Sequence, residues 1–370
     1  MSIPQLPENP YLLLTPGPLT TTPGVKAAML RDWCTWDDDY NRIVQEIRRK
    51  ITALATAEPG FTSVLIQGSG TFGVEAVVTT AIPEDGALLV LANGAYGRRI
   101  GQIAARCGVA FEILDFGETA PPQIDRMIAA LDQNPLISHV AVVHCETTTG
   151  MLNPVAEIGA AVRSCRRRFI VDAMSSFGGI PMDAAAIGAD YLISSANKCI
   201  QGVPGFAFVV CRRREIETTK GRARSLSLDL HDQWETMERH AGKWRFTSPT
   251  HVVRAFHQAL RELEAEGGIA ARHARYCQNH RVLVSGMQAL GFEPLLPEAY
   301  RSPIITAFRS PASPRYDFHK FYGLLKDRGF VIYPGKVTDQ ESFRIGSIGD
   351  VHPQDMRRLL KAVADCMFWK

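Results

Sequence analysis

Between residues 62 and 210, short apolar runs alternate with amphipathic segments of helical length, and this alternation constrains the fold more than any other feature of the chain. The runs at 62–66, 87–92, 109–114, 137–143, 169–174, 191–195 and 206–210 read as strands. Between them, 74–82, 96–106, 122–131 and 155–166 repeat their apolar residues with a helical period. Strands alternating with helices of roughly 10 to 15 residues predict an α/β fold, a mostly parallel seven-stranded sheet covered on both faces. In such sheets a site forms beyond the carboxyl ends of the strands. The loops 67–73, 144–150 and 172–178 fall there, and so does the loop carrying Lys198.

The flanks are organised differently. Residues 1–14 are proline-rich and read as an extended arm, followed by the turn Thr15-Pro-Gly-Pro18 and a helical pattern opened by Pro23. Residues 41–55 form an amphipathic helix on Ile43, Val44, Ile47, Ile51 and Leu54. From Thr250 a long helical region is broken at Gly267-Gly268, and a second helix covers 270–290. Strand-like segments at 304–308 and 331–333 and a terminal helix over 355–367 complete a smaller α+β unit. The expected division is therefore an arm at 1–14, a large domain at 15–260 and a small C-terminal domain at 261–370.

Bulk properties exclude several classes of function. A net charge of +3 in 370 residues gives no reason to expect a nucleic-acid partner. The runs Arg166–Arg168 and Arg212–Arg214 are read as solvated loops. The 8 cysteines show no C-x-x-C spacing, which points to reduced thiols, a reducing compartment and no metal site. No apolar stretch approaches the roughly 20 residues that span a bilayer, and the first residues lack the pattern of a signal peptide. A cytoplasmic protein is expected.

Chemistry concentrates in three places. In Ser194-Ser-Ala-Asn-Lys198-Cys-Ile-Gln-Gly, the lysine follows a strand and is flanked by small residues. Partial burial there disfavours its ammonium form, and a neutral lysine can form a Schiff base with an aldehyde, as pyridoxal phosphate requires. Asp172 ends the apolar strand 169–174, where a carboxylate is costly without a cationic partner; a protonated pyridine nitrogen is one. Gly68-Ser-Gly-Thr-Phe-Gly73 stands between a strand and a helix, so amides and the hydroxyls of Ser69 and Thr71 can hold a phosphate. The same glycines fit a dinucleotide turn, but the next strand ends in Ala92-Asn-Gly94 without the carboxylate that reading wants.

Taken together, G-S-G-T near residue 70, D-A-M-S-S at 172–176 and S-S-A-N-K-C at 194–199 resemble the class V aminotransferases, pyridoxal-phosphate enzymes of fold type I. Thr15-Pro-Gly-Pro-Leu-Thr20 and Arg31-Asp-Trp-Cys-Thr-Trp-Asp-Asp-Asp-Tyr40 resemble the subgroup that moves the amino group of 2-aminoethylphosphonate to pyruvate, giving phosphonoacetaldehyde and L-alanine. The resemblance spans nearly the whole chain. It implies that Lys198 carries pyridoxal 5′-phosphate and that Asp172 partners its ring nitrogen. Ser69, Gly70, Thr71 and Asn197 then hold the phosphate, with Thr247 reaching in from the second subunit of a homodimer. It further implies that Tyr96 stacks on the ring, that Thr147 lies near the ring hydroxyl and that Arg344 binds the substrate anion. It turns 31–40 from a solvated acidic loop into an active-site wall. The nearest rival is an alanine–glyoxylate or serine–pyruvate aminotransferase of the same class. A cysteine desulfurase would need a nucleophilic cysteine on a mobile loop, whereas Cys277 and Cys366 lie in helical patterns.

Overall fold

The expected strands assemble into one sheet of 7 strands, described here from a computed structural model that covers residues 6–337 and 340–370. Residues 1–5 of the expected arm lie outside the described residues. The strands are β1 (Phe61–Gln67), β2 (Ala87–Ala92), β3 (Ala110–Asp115), β4 (Ile137–Val143), β5 (Arg168–Asp172), β6 (Tyr191–Ser195) and β7 (Phe206–Arg212). Their order across the sheet is β1-β7-β6-β5-β4-β2-β3. Pairing is parallel from β6 to β3, and β7 runs antiparallel between β1 and β6. The reason is local: only a turn, with no helix, separates Ser195 from Phe206, so the chain returns beside the strand it has just left. The β2, β4 and β6 strands are buried along nearly their whole length, as expected of strands covered on both faces.

Helices α1 (Asp38–Ala55), α2 (Gly70–Ala81), α3 (Ala95–Arg106), α4 (Ile124–Gln133), α5 (Val155–Ser164) and α6 (Leu230–Arg239) cover that sheet. The α2 helix begins at Gly70, four residues before the sequence pattern places it, because its first turn is Gly-Thr-Phe-Gly and carries no apolar period. The α6 helix lies outside the elements expected from the sequence, although Leu230, Trp234 and Met237 share one buried face. Two long helices follow, α7 (Thr250–Glu266) and α8 (Gly268–Ala289). The break between them is where the glycine pair puts it: Gly267 and Gly268 both have left-handed backbones, with φ of 105° and 77°.

The remainder has its own apolar core, built on Leu283, Met287, Phe292, Phe308, Phe343, Leu359 and Trp369. It contains β8 (Ile305–Arg309), β9 (Tyr333–Pro334) and β10 (Ser342–Gly346), in the order β8-β10-β9, with α9 (Phe318–Asp327) and α10 (Pro353–Asp365). The expected strand at 331–333 is divided, since Phe330–Val331 pairs with Leu12–Leu13 and Tyr333–Pro334 with β10. Leu14 is thus fully buried in the C-terminal core, and the turn that follows it meets Lys198 beyond the strand ends of the large sheet.

The two arginine runs are not simple solvated loops. Arg168 opens β5 and pairs with Glu215, while Arg212 ends β7 and pairs with Asp190 at 3.4 Å. All 8 cysteines are free thiols, and Cys145, Cys199, Cys211 and Cys366 are buried. Among the described residues no helix is long and apolar enough to cross a membrane.

Candidate active site

The carboxyl ends of β1, β5 and β6 surround a cavity of about 300 Å³ lined by Ser69, Gly70, Thr71, Tyr96, Asp172, Asn197 and Lys198, together with Arg99 and Met174. Seven residues singled out in the sequence therefore meet in one place.

Lys198 stands in the turn between β6 and β7. Its Nζ donates to the carbonyl of Pro16 at 2.8 Å, so the Thr15–Pro18 turn roofs the lysine. Gly17 has a left-handed backbone (φ 109°), and a Cβ there would lie 2.7 Å from the Lys198 side chain. Burial lowers the lysine pKa, against the opposing pull of Tyr96, Cys199 and Asp172.

Asp172 ends β5 and is 6% exposed. Among the described residues its side chain accepts one hydrogen bond, from the amide of Met174 at 2.9 Å, and forms no ion pair. Burial pushes its pKa up to about 6, partly offset by that amide. The loop beyond is tied down from below: Ser194 Oγ donates to Met174 O at 3.2 Å, Cys199 Sγ to Ser175 O at 3.2 Å, and the His144 amide to Asp172 O at 2.8 Å. His144 itself is neutral, its pKa lowered by burial to about 4.

The amino terminus of α2 points into the same space. Ser69 makes no side-chain capping bond, so it leaves the first amides of the helix without that acceptor. Asn197 is positioned by Ser195, whose Oγ donates to its Oδ1 at 3.1 Å. The guanidinium of Arg99 lies 3.5 Å from Thr71 Oγ1 and 4.9 Å from the centre of the Tyr96 ring.

Tyr96 is held by Glu146, which is fully buried and accepts from the amides of Tyr96 (3.4 Å), Gly97 (3.1 Å) and Thr148 (3.2 Å). A carboxylate at the start of α3 suits the positive end of the helix. Burial raises the Tyr96 phenol, but Lys336, a hydrogen bond with the Thr147 side chain, Lys198 and Arg344 together outweigh it and hold the pKa below its ordinary value. Lys336 Nζ stands 4.1 Å from the ring centre.

Arg344 and Thr147 border the cavity through Tyr96. Arg344 is 3% exposed, and it donates from Nη1 to Thr147 O at 2.7 Å and from Nε to Pro334 O at 3.0 Å. Both bonds fix the guanidinium plane, which makes it a rigid cation. Sequence reasoning missed Arg99, Glu146 and Lys336. Arg99 carried a signal, since it lies three residues after Tyr96 on one helix and so shares its face.

Thr247 is not brought to the Lys198 cavity of its own chain. It is exposed and lines a separate cavity of about 330 Å³ with Thr35, Tyr40, Lys243, Trp244 and Phe246. The 31–40 block lies there too: Tyr40 is buried with its hydroxyl 2.6 Å from Ser248 Oγ, Trp33 packs under Arg31 and Arg254, and Trp36 is 75% exposed beneath Lys243.

A family model described as "Aminotransferase class-V" matches residues 24–345. The chain belongs to the class V aminotransferases. Among curated relatives, a protein of Syntrophobacter fumaroxidans named 2-aminoethylphosphonate–pyruvate transaminase is 66% identical over 98% of this chain and 97% of its own length. One of the same name from Vibrio cholerae is 60% identical over 98% and 99%. Among solved structures, the alanine–glyoxylate aminotransferase of Nostoc superposes with a TM-score of 0.89 at 23% identity, covering 99% of this chain and 98% of that one. Pyridoxamine–pyruvate aminotransferase from Mesorhizobium loti gives 0.87 at 25%, covering 98% and 93%. The fold is that of fold-type I enzymes, and membership of the family implies pyridoxal 5′-phosphate.

The residues present fit that cofactor. The cavity offers a lysine whose ammonium burial disfavours, a buried carboxylate lacking a cation, and a helix amino terminus lacking an acceptor. Each is an unpaired half of a contact that an aldehyde, a protonated ring nitrogen and a phosphate would complete.

Proposed function

We propose that this aminotransferase takes the amino group of 2-aminoethylphosphonate and passes it to pyruvate, leaving phosphonoacetaldehyde and L-alanine. The observation that carries the reaction type is the meeting of Lys198 and Asp172 in one cavity beside the amino terminus of α2. The choice of substrate is supported by near full-length relatives of that name at 57–66% identity.

The cofactor, when bound, supplies an aldehyde and an electron-accepting ring. Lys198 Nζ would hold it and, once the substrate amine has displaced it from the aldehyde carbon, would be free to take a proton from the amine-bearing carbon of the substrate. Its burial lowers the cost of losing its own proton first. Asp172, held more firmly as a carboxylate once a cation lies against it, keeps the ring nitrogen protonated. Ser69, Gly70, Thr71 and Asn197 hold the phosphate, and Arg99 adds charge beside Thr71. Tyr96 supports the ring, and Thr147 lies on its hydroxyl side. Arg344 takes the phosphonate and then the carboxylate, since a fixed planar fork accepts either oxyanion. The Pro16 carbonyl and the turn around it help to keep water from the lysine.

In this reading Thr247 completes the phosphate site of a second subunit. Support comes from its exposure and from exposed apolar side chains nearby, Trp36 at 75% and Phe246 at 51%, which a homodimer would cover. The arm, the large domain at 15–260 and the small one at 261–370 are kept, supported by two separate apolar cores. Eight free thiols support a cytoplasmic location.

A turnover assay on paired substrates tests the proposal. The combination of 2-aminoethylphosphonate and pyruvate should exceed alanine with glyoxylate, and serine with pyruvate, by orders of magnitude in kcat/KM. Preference for either of the latter pairs would reassign the enzyme within its class.

A further inference from the structure

A second cavity opens at the other end of the sheet, at the amino ends of β4, β5 and β6. Its volume is about 380 Å³, and Arg166, Arg167, Arg168 and Arg222 line it, with Glu215 as its carboxylate. The strands between are five to seven residues long at about 3.3 Å each, which sets this cavity roughly 20 Å from Lys198.

The charges do not balance. Glu215 is already engaged, by Arg168 and by Arg214 Nε at 3.1 Å. Among the described residues Arg166 and Arg222 have no ion-pair partner. Arg167 Nε is buried with no acceptor among the described residues, and its Nη2 reaches only the Pro135 carbonyl at 3.5 Å. His139, 6% exposed on the wall, has its pKa lowered to about 3 by burial and then by Arg168 and Arg222, so it adds no charge. Arg166, Arg168 and Arg222 are exposed at the cavity rim and Arg167 is half-buried, so these like charges repel one another through solvent and their shared concavity draws in an anion. Guanidinium forks match the oxygens of a tetrahedral phosphate better than they match chloride.

From this arrangement we propose that the arginine cavity binds a phosphate-type dianion, free or as a simple monoester, at a site separate from the Lys198 cavity. Binding there would relieve the repulsion, so it stabilises the fold without entering the reaction.

Calorimetric titration of the cofactor-saturated enzyme tests it, with inorganic phosphate and glycerol phosphate used in separate runs at constant ionic strength. The parent should show saturable binding with one or both, the tighter one identifying the source. The double variant Arg166→Asn, Arg222→Gln should bind roughly a hundredfold more weakly, about tenfold per lost guanidinium contact. Asparagine is chosen at 166 because the backbone there is left-handed, with φ 54°. Turnover without added phosphate should equal that of the parent, which also shows the variant to be folded. Arg222→Lys should fall between. No saturable binding in the parent, or equal affinity in the double variant, would overturn the proposal.

Discussion

Two buried charges in this molecule are treated in opposite ways. Arg48, on α1, is 5% exposed and closed on every side: it donates to Ser63 O at 2.7 Å, Thr62 Oγ1 at 3.2 Å and Gln45 Oε1 at 2.7 Å, and pairs with Glu238. Glu238 in turn pairs with Arg213 at 3.0 Å. Asp172 is equally buried yet has one amide for company, and Lys198 has one carbonyl. The first arrangement fastens α1 and α6 to the edge of β1. The second leaves valences open. A buried charge satisfied by protein is architecture, and one left unsatisfied has its cost offset only when a ligand arrives.

This contrast can be broken most sharply at Lys198. Lys198→Ala should lower turnover by at least on the order of a thousandfold while thermal unfolding shows an intact fold. Near-parental turnover would take the lysine out of the reaction. The next largest effect is expected at Arg344. Arg344→Ala should weaken both half-reactions, each followed alone in single turnover, by about a hundredfold in substrate requirement. Arg344→Lys should recover only part, because an ammonium lacks the fork. If the alanine variant handles both substrates normally, Lys336 or Arg99 carries the anion instead.

Smaller again is the loss at the amino terminus of α2. Thr71→Val removes one hydroxyl donor at nearly constant volume, so affinity for pyridoxal phosphate should fall roughly tenfold to a hundredfold. Unchanged affinity in equilibrium dialysis would assign that turn another role.

A further test compares the two charges directly in cofactor-free protein. Asp172 has its pKa raised from 3.8 to about 6, so stability that is present below the lower value is lost as pH rises through the upper one. At pH 8, Asp172→Asn should therefore stabilise the cofactor-free protein by about 3 kcal/mol, and the advantage should vanish as the pH falls below the ordinary carboxylate value. Glu238→Gln should do the reverse, costing about 2 kcal/mol by leaving Arg48 buried without its carboxylate; the figure is reduced because Glu238 is partly exposed. Denaturant midpoints at pH 8 and at a pH below the ordinary carboxylate value separate these outcomes. A destabilised Asp172→Asn at pH 8 would mean that the carboxylate is already satisfied by protein.

Much of this was legible in the sequence because period and punctuation are local properties. The apolar runs placed the strands, and Gly267-Gly268 marked the break between α7 and α8. Lys198 and Asp172 could be paired because both close adjacent strands of a parallel sheet, β5 and β6, and such ends share an edge. What stayed hidden depends on tertiary meeting. Glu146 looks like one of many acidic residues until α3 is seen to start above it. Lys336 lies in an unremarkable loop and acquires meaning from the Tyr96 ring beneath it. The early start of α2 was masked by glycines, which blur the helical period at the point where amides are needed. Thr247 and the 31–40 block acquire separate roles by resemblance alone, and within one chain they meet each other and stay apart from Lys198.

The central claim is tested most directly by the absorbance of the purified, cofactor-loaded protein. Adding 2-aminoethylphosphonate alone should abolish the visible band of the lysine-bound cofactor, and pyruvate added afterwards should restore it with one equivalent of alanine formed. A band unmoved by 2-aminoethylphosphonate, yet bleached by alanine or serine under the same conditions, would contradict the account.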